Sequence, residues 1–376
     1  MRIALLAHLR HPISPPFMGG MEAHSYHLAT ALVARGHDVT LFASGDSRAA
    51  GRLHPVVEHA YAARYAPDDP AHYRDLDIRF ACTGTRLLRG DFDVVHNNTL
   101  HRYPPRLARQ HRLACVTSLH VPPFEALQRA VLESAAPWSR FTVTSNRQRQ
   151  SWWGRASPPE AAVVHNGIDP DLWPSGLGGN GRAVWAGRIT PNKGAHLALE
   201  AARLAGMPLT IFGPIEDRAY FDIAVAPHLG GDFRYGGHLE RAGLAAEFAR
   251  ADLLLFTPLW DEPFGLTAIE AMCCGLPVAS TDMGAAREVI GRAGCFAAEP
   301  VAQDLAHAMT RALAIPRDLP RRRVMEHFTI TRMVDAYEAE YLRAVAGLRG
   351  DAPEVSFPAF DLMTDNHAPP PGLDRR

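Results

Sequence analysis

The sequence predicts an α/β protein made of two doubly wound parallel sheets, on three observations. Short apolar runs alternate with longer stretches of helical periodicity over most of the chain. At 376 residues the chain exceeds one typical core, which favours two domains. A Gly-rich stretch at 174–181 divides it into halves that repeat the same alternation, and it reads as a hinge between them.

In the first half, strand-like runs fall near 2–8, 38–43, 92–96, 114–119, 140–144 and 161–165. Residues 22–35 read as a helix, with Ala23, Tyr26, His27, Thr30 and Val33 near one side and Gly36 as its stop. In the second half, runs near 183–187, 208–212, 252–257 and 277–281 alternate with helices at 194–205, 241–250 and 264–274. Further helices are expected at 302–314 and 330–348. The domains are thus expected at 1–172 and 173–328, with 329–348 a helix packing back toward the first domain. The Pro-rich 351–376 is expected to be a disordered tail. Two such halves imply a cleft at the carboxyl ends of the strands, where doubly wound sheets bind ligands.

Composition excludes several classes. A net charge of −1 lacks the concentrated basic surface that nucleic acid needs. Five cysteines, two of them adjacent, form no disulfide framework and show no metal-ligand spacing. The 19 histidines are scattered, with no metal-binding pair on one helix face. No stretch approaches the length of a membrane span, so a cytoplasmic protein with reduced thiols is expected.

Two segments carry chemistry. Residues 262–277 set Glu262 and Glu270 around the start of a helix, with Pro263 as its expected first residue. The amides of Phe264, Gly265, Leu266 and Thr267 then lack intrahelical partners, and with the helix dipole they form an anion site. Gly265 is expected to let a ligand approach the backbone. A phosphate flanked by two hydroxyl-binding carboxylates describes a nucleotide sugar; the alternative is an amphipathic helix with both glutamates solvated. The second segment holds the only lysine, Lys193, beside 38 arginines in the chain, with Arg188 five positions before it. A compact ammonium and a planar guanidinium together suit a diphosphate.

With Gly19-Gly20-Met-Glu22 after the first strand, Gly187-Arg188 followed by Lys193-Gly194, and Glu262 with Glu270 around Phe264-Gly265, the chain resembles glycosyltransferase family 4 over residues 1–345. These are retaining, nucleotide-sugar-dependent enzymes of GT-B fold. The resemblance implies that Arg188 and Lys193 neutralise the donor diphosphate and that the 264–267 amides bind it. It implies that Glu262 holds the transferred sugar and Glu270 the ribose diol. Gly213, Gly237, His238 and Leu239 match the loops that clasp the base, the Gly19-Gly20 loop lies over the diphosphate, and His120 lines the sugar and acceptor side. Asn166-Gly167-Ile168-Asp169 matches the end of the first domain. Two departures touch substrate choice: Val121-Pro122-Pro123 where an aspartate often follows the histidine, and Met283-Gly284-Ala285-Ala286 where two adjacent glycines are common.

The expected co-substrate is a UDP- or GDP-sugar, with no cofactor and no metal, and retention follows from the resemblance. Glu22, His24, His96 and Asn97 are acceptor-side candidates, with helix capping or packing as their alternative. Arg102, Arg106, Arg109 and Arg112 read as a solvated helical face or a surface for an anionic, peripheral-membrane acceptor. The acceptor stays open. A nucleotide-sugar epimerase, a pyridoxal-dependent phosphorylase, an NAD-dependent oxidoreductase and a non-catalytic nucleotide-sugar-binding protein are the rival readings.

Overall fold

The computed structural model describes residues 1–63, 70–176 and 179–350; the tail expected at 351–376 lies outside them. Ile3-Ala4-Leu5-Leu6-Ala7 is apolar on both faces, which suits a strand covered by helices on both sides. It forms the centre of a sheet whose strands, in chain order, are β1 Arg2–Ala7, β2 Asp38–Ser44, β3 Arg52–Val57, β4 Val94–Asn98, β5 Cys115–Leu119, β6 Ser139–Val143 and β7 Ala161–Val163. The order across this parallel sheet is β3-β2-β1-β4-β5-β6-β7. The second sheet has β8 Ala183–Ala186, β9 Leu209–Phe212, β10 Phe233–Tyr235, β11 Leu253–Phe256, β12 Val278–Ser280 and β13 Gly294–Phe296, ordered β10-β9-β8-β11-β12-β13, again all parallel. In both sheets the order reverses beside the first strand. The β1/β4 and β8/β11 borders are therefore topological switch points, where loops diverge and open a crevice at the carboxyl ends.

Three strands escaped the sequence reading: β3, β10 and β13. All are edge strands with few buried positions, so they lack an apolar run. Pro55 in β3 is tolerated at the edge.

The described residues divide into two compact units, Met1–Val164 with 333–350, and His165–Arg332. In the first, Leu119, Leu127, Val131, Phe141, Val143 and Trp152 form one core cluster. Its last helix, Ile330–Gly347, buries Tyr337 and Tyr341 and is tied by Asp335 and Glu338 to Arg35 at 2.7 Å each. In the second, Phe248, Leu254, Phe264, Ile269 and Met272 lie on one face of the sheet and Trp185, Leu199, Ile211 and Leu305 on the other.

The Gly-rich 174–181 is not a hinge between halves. It lies inside the second unit, and the passage between units falls at Val164/His165. Of its glycines, Gly176 serves close packing, since a Cβ there would stand 1.9 Å from the Ala249 carbonyl oxygen, while Gly179 and Gly181 take φ of 92° and 69° in open space. The Gly181 amide donates to Asp252 at 2.8 Å. Residues 177–178 are outside the described residues.

Candidate active site

The carboxyl ends of β8 and β11 bring the second unit's charged side chains together. After β8, Gly187 and Arg188 lead to a single turn of 3-10 helix, Pro191–Lys193, and Gly194 at φ 67° starts the helix Ala195–Leu204. A Cβ on Gly194 would meet the Thr257 carbonyl oxygen at 2.4 Å, so this turn is pressed against the end of β11. The Thr257 hydroxyl accepts from Trp185 Nε1 and shares its one proton between the carbonyls of Lys193 and Gly194, all at 2.9 Å. Backbone packing thus fixes where the lysine leaves the chain.

Lys193 Nζ lies 2.5 Å from Glu262 Oε2, and the Trp260 indole N–H donates to the same oxygen at 2.7 Å. The ammonium also stands 5.0 Å from the Trp260 ring centroid, a cation–π distance. Glu262 is buried, and two donors on one oxygen offset the cost of holding its charge there. Gly284, at φ 61°, lies so close that a Cβ would be 2.2 Å from the Glu262 amide nitrogen, and the Ala285 amide donates to the Glu262 carbonyl at 2.8 Å. Gly284 therefore seats Glu262 through the backbone. Arg188 Nη1 donates to both carboxylate oxygens of Glu216, at 2.9 and 2.7 Å. Its Nε and Nη2 make no hydrogen bond among the described residues.

The helix after β11 is shorter than expected. It runs Leu266–Cys273, with Gly265 as N-cap at φ 95° and no side-chain cap. Pro263 therefore precedes the N-cap and is not the first helical residue. Phe264 turns its ring into the core, 5.6 Å from Phe328. Gly265 answers to packing and backbone: besides its positive φ, a Cβ would sit 2.6 Å from the Phe256 ring. Glu270 lies one turn into this helix. Burial pushes its carboxyl up to about 7 against the lowering charge of Arg241, and it makes no hydrogen bond or ion pair among the described residues.

The loops expected at a base close the same end. Gly213 follows β9 at φ 136°, where a Cβ would fall 1.8 Å from the Gly187 carbonyl oxygen, and its amide donates to the Gly237 carbonyl at 2.9 Å. His238 is exposed and Leu239 half-buried, against the core.

The first unit's switch point is built differently. Gly19 is the N-cap of the helix Gly20–Ala34, and Glu22 in its first turn is buried 3.0 Å from His8, which follows β1. Burial works to raise the Glu22 carboxyl; the charge and hydrogen bond of His8, its own backbone amide and the charge of His11 outweigh it and bring it down to about 2. The His24 ring meets His120 edge-on at 4.5 Å. Burial and the charge of His8 lower His120, the residue after β5, to about 4, so it is neutral at pH 7.

Two sequence expectations fail here. His96 and Asn97 are completely buried and hydrogen-bonded internally, His96 to Tyr341, Asn98 and Ser118, and Asn97 to Thr99 and Thr117. They sit inside the sheet below the rim, where no acceptor reaches them. The arginine stripe is only partly a solvated face: Arg102 is buried, Arg106 and Arg109 are half-buried and Arg112 is exposed, and each has a partner within the protein. Arg102 pairs with Asp77 at 2.9 Å and Arg106 with Glu133 at 3.1 Å, while Arg109 and Arg112 stack on Trp138.

The sequence reading missed His8, Asn98, Glu216 and Trp260. Only Trp260, two residues before Glu262, gave a local signal; the others take part through tertiary neighbours. Among the described residues no three His, Cys, Asp or Glu side chains gather as metal ligands, and no helix is long and apolar enough to cross a membrane.

The family described as Glycosyltransferase Family 4 matches residues 18–172, and that described as Glycosyl transferases group 1 matches residues 178–327. The chain is 26% identical to a glycogen synthase of Mycobacterium tuberculosis, over 91% of this chain and 95% of that protein. Among solved structures, sucrose-phosphate synthase from Thermosynechococcus elongatus aligns with a TM-score of 0.75 at 19% identity, covering 92% of this chain and 99% of that one. The catalytic domain of starch synthase IV from Arabidopsis thaliana, bound to ADP and acarbose, aligns with a TM-score of 0.70 at 15% identity, over 92% and 99%. The chain belongs to glycosyltransferase family 4: it is a glycosyltransferase of GT-B fold.

Proposed function

We propose that the protein transfers a sugar from a nucleoside diphosphate sugar to a hydroxyl acceptor with retention of anomeric configuration, and without a metal ion. One observation carries the reading. At the β8/β11 switch point a lysine, an arginine whose Nε and Nη2 have no hydrogen bond among the described residues, and a helix start without a side-chain cap stand beside a half-buried carboxylate that has no partner among the described residues. An unpartnered Glu270 carboxyl is costly unless a ligand satisfies it, and a ribose diol offers the two donors it lacks.

In this reading Arg188, Lys193 and the amides of Leu266 and Thr267 receive the diphosphate. Charge grows on the leaving phosphate oxygen as the anomeric bond breaks, and donors fixed beforehand stabilise that state more than the ground state. A unit charge about 4 Å away contributes roughly 4 kcal/mol at an effective dielectric near 20. Glu216 and Glu262 cancel part of the cationic charge, so directed N–H donors and the helix dipole carry more of the work than net charge. Glu262 turns its second oxygen to a sugar hydroxyl. The leaving phosphate, held on the face it vacates, takes the acceptor proton. The expected donor is a UDP- or GDP-sugar.

The test is a thermal-shift screen against UDP, GDP, ADP and TDP, then turnover of sugar nucleotides of the base that binds, with and without EDTA. Stabilisation by one nucleotide and EDTA-resistant turnover are expected. Loss of turnover in EDTA overturns the metal-free part, and no response to any nucleotide overturns the whole.

A further inference from the structure

The first unit holds a chain of hydrogen bonds whose directions fix what His120 offers a ligand. Asn98, the last residue of β4, points its Oδ1 at Nε2 of His96 (3.0 Å) and Nε2 of His120 (3.1 Å). On its other side, Asn98 Nδ2 lies 3.3 Å from Ser25 Oγ. Ser118 Oγ, 3.0 Å from His96 Nε2, also lies 2.8 Å from Thr142 Oγ1 and donates toward Tyr337 Oη at 3.2 Å; with its single proton engaged on that side it accepts from the histidine. His96 Nε2 therefore carries the proton, shared between Ser118 Oγ and Asn98 Oδ1. The reversed amide would set an N–H of Asn98 against that N–H. With Nε2 protonated, His96 Nδ1 is an acceptor, and Tyr341 Oη donates to it at 2.5 Å.

The same carbonyl oxygen faces His120, so His120 is also the Nε2–H tautomer. Its Nδ1 lone pair makes no hydrogen bond among the described residues, and the ring is half-buried where the sheet ends. We propose that Asn98 and His96, braced by Tyr341 from the last helix, are positioning residues that lock His120 in the Nε2–H tautomer, so that its Nδ1 accepts a hydrogen bond from a substrate hydroxyl. An imidazole in this state repels a phosphate oxygen and selects a hydroxyl donor, a distinction that net charge does not make. The substrate part rests on the glycosyl-transfer reading above; the tautomer does not.

The full chain labelled with 15N-histidine, observed through long-range proton–nitrogen correlations at pH 7, tests the proposal. The His120 signal is assigned by its loss in His120→Gln. Expected is a protonated Nε2 and a bare Nδ1 in the wild type, retained in Asn98→Asp, which keeps the acceptor, and mixed or reversed in Asn98→Leu. A protonated Nδ1 in the wild type, or an unchanged tautomer in Asn98→Leu, overturns it. With UDP-glucose, GDP-glucose and ADP-glucose as probes, Asn98→Leu should lose about tenfold in kcat while nucleoside diphosphate affinity stays within twofold. Equal kcat in Asn98→Leu overturns the role in substrate binding. Wild-type protein that binds none of the three sugar nucleotides overturns the transfer reading, and the tautomer measurement still decides the lock.

Discussion

The two switch points share one topology and hold opposite chemistry. At β8/β11 the polar groups are ionic and partly exposed: Lys193 with Glu262, Arg188 with Glu216, and the lone Glu270. At β1/β4 they are buried, and apart from the Glu22–His8 pair they are neutral amides, hydroxyls and imidazoles. A crevice at the strand ends is thus only a place. What it binds is set by whether its side chains carry charge or directional neutral donors and acceptors. The ionic crevice suits phosphate, and the neutral one suits hydroxyl groups.

The largest expected effect comes from Lys193→Ala, which breaks the ionic side. Turnover should fall by about 10²–10³-fold, the scale of losing one preorganised donor to a developing oxyanion. The same change leaves Glu262 buried with only Trp260, at a stability cost of about 1–3 kcal/mol. In Lys193→Ala with Glu262→Gln, stability should return and turnover should not. Recovery of both would mean that Lys193 serves Glu262 alone.

Next in size is Gly284→Ala, which moves Glu262 without touching a charge. Its Cβ would fall 2.2 Å from the Glu262 amide nitrogen, so the segment must shift, and turnover should drop at least tenfold. Gly206→Ala is the control: its φ is also positive, at 65°, but nothing lies within 4 Å, and a cost of about 1 kcal/mol with turnover kept is expected. Equal loss of turnover in the two would show that backbone strain, and not the seat of Glu262, accounts for the Gly284→Ala effect.

Glu270→Gln should weaken nucleoside diphosphate binding about tenfold, read by calorimetry. It should also flatten the pH dependence of stability. The folded carboxyl lies near 7, above its unfolded value, so the folded state holds the proton more tightly. That contribution is complete at acid pH and is lost as pH rises through about 7. An unchanged slope between pH 5 and about 7.5 in the variant would show that Glu270 ionises normally. The smallest effect belongs to Glu22→Gln. Glu22 is held near 2, so its stabilisation is present above the unfolded carboxylate range and lost as pH falls toward 2. The variant should lose about 1–2 kcal/mol at neutral pH and show a flatter acid limb in urea titrations.

Much of this arrangement was legible in the sequence. The central strands announced themselves by apolar runs, and the pairing of Arg188, Lys193, Glu262 and Glu270 with one strand-end region followed from their places after predicted strands. Three of the four edge strands did not, because half-exposed residues such as those of β10 leave no periodic trace. Glycines were harder to read: the 174–181 stretch looked like a hinge yet lies inside one unit, and Gly265 is required by the Phe256 ring and by its positive φ, which sequence alone does not show. His96 and Asn97 looked like rim residues because sequence order cannot tell the last turn of a strand from its buried middle. Asn98, one position later, had no signal at all. Its role exists only through His96 and His120, brought together by β4 and β5.

Lys193 is the chain's single lysine, so amine acylation followed by peptide mass spectrometry reads one side chain against the α-amino group. The protein is labelled alone and with UDP, GDP, ADP or TDP. The account predicts that one of these nucleotides protects Lys193 while the α-amino group labels unchanged. Equal labelling of Lys193 with and without every nucleotide would contradict a diphosphate bound at the β8/β11 switch point.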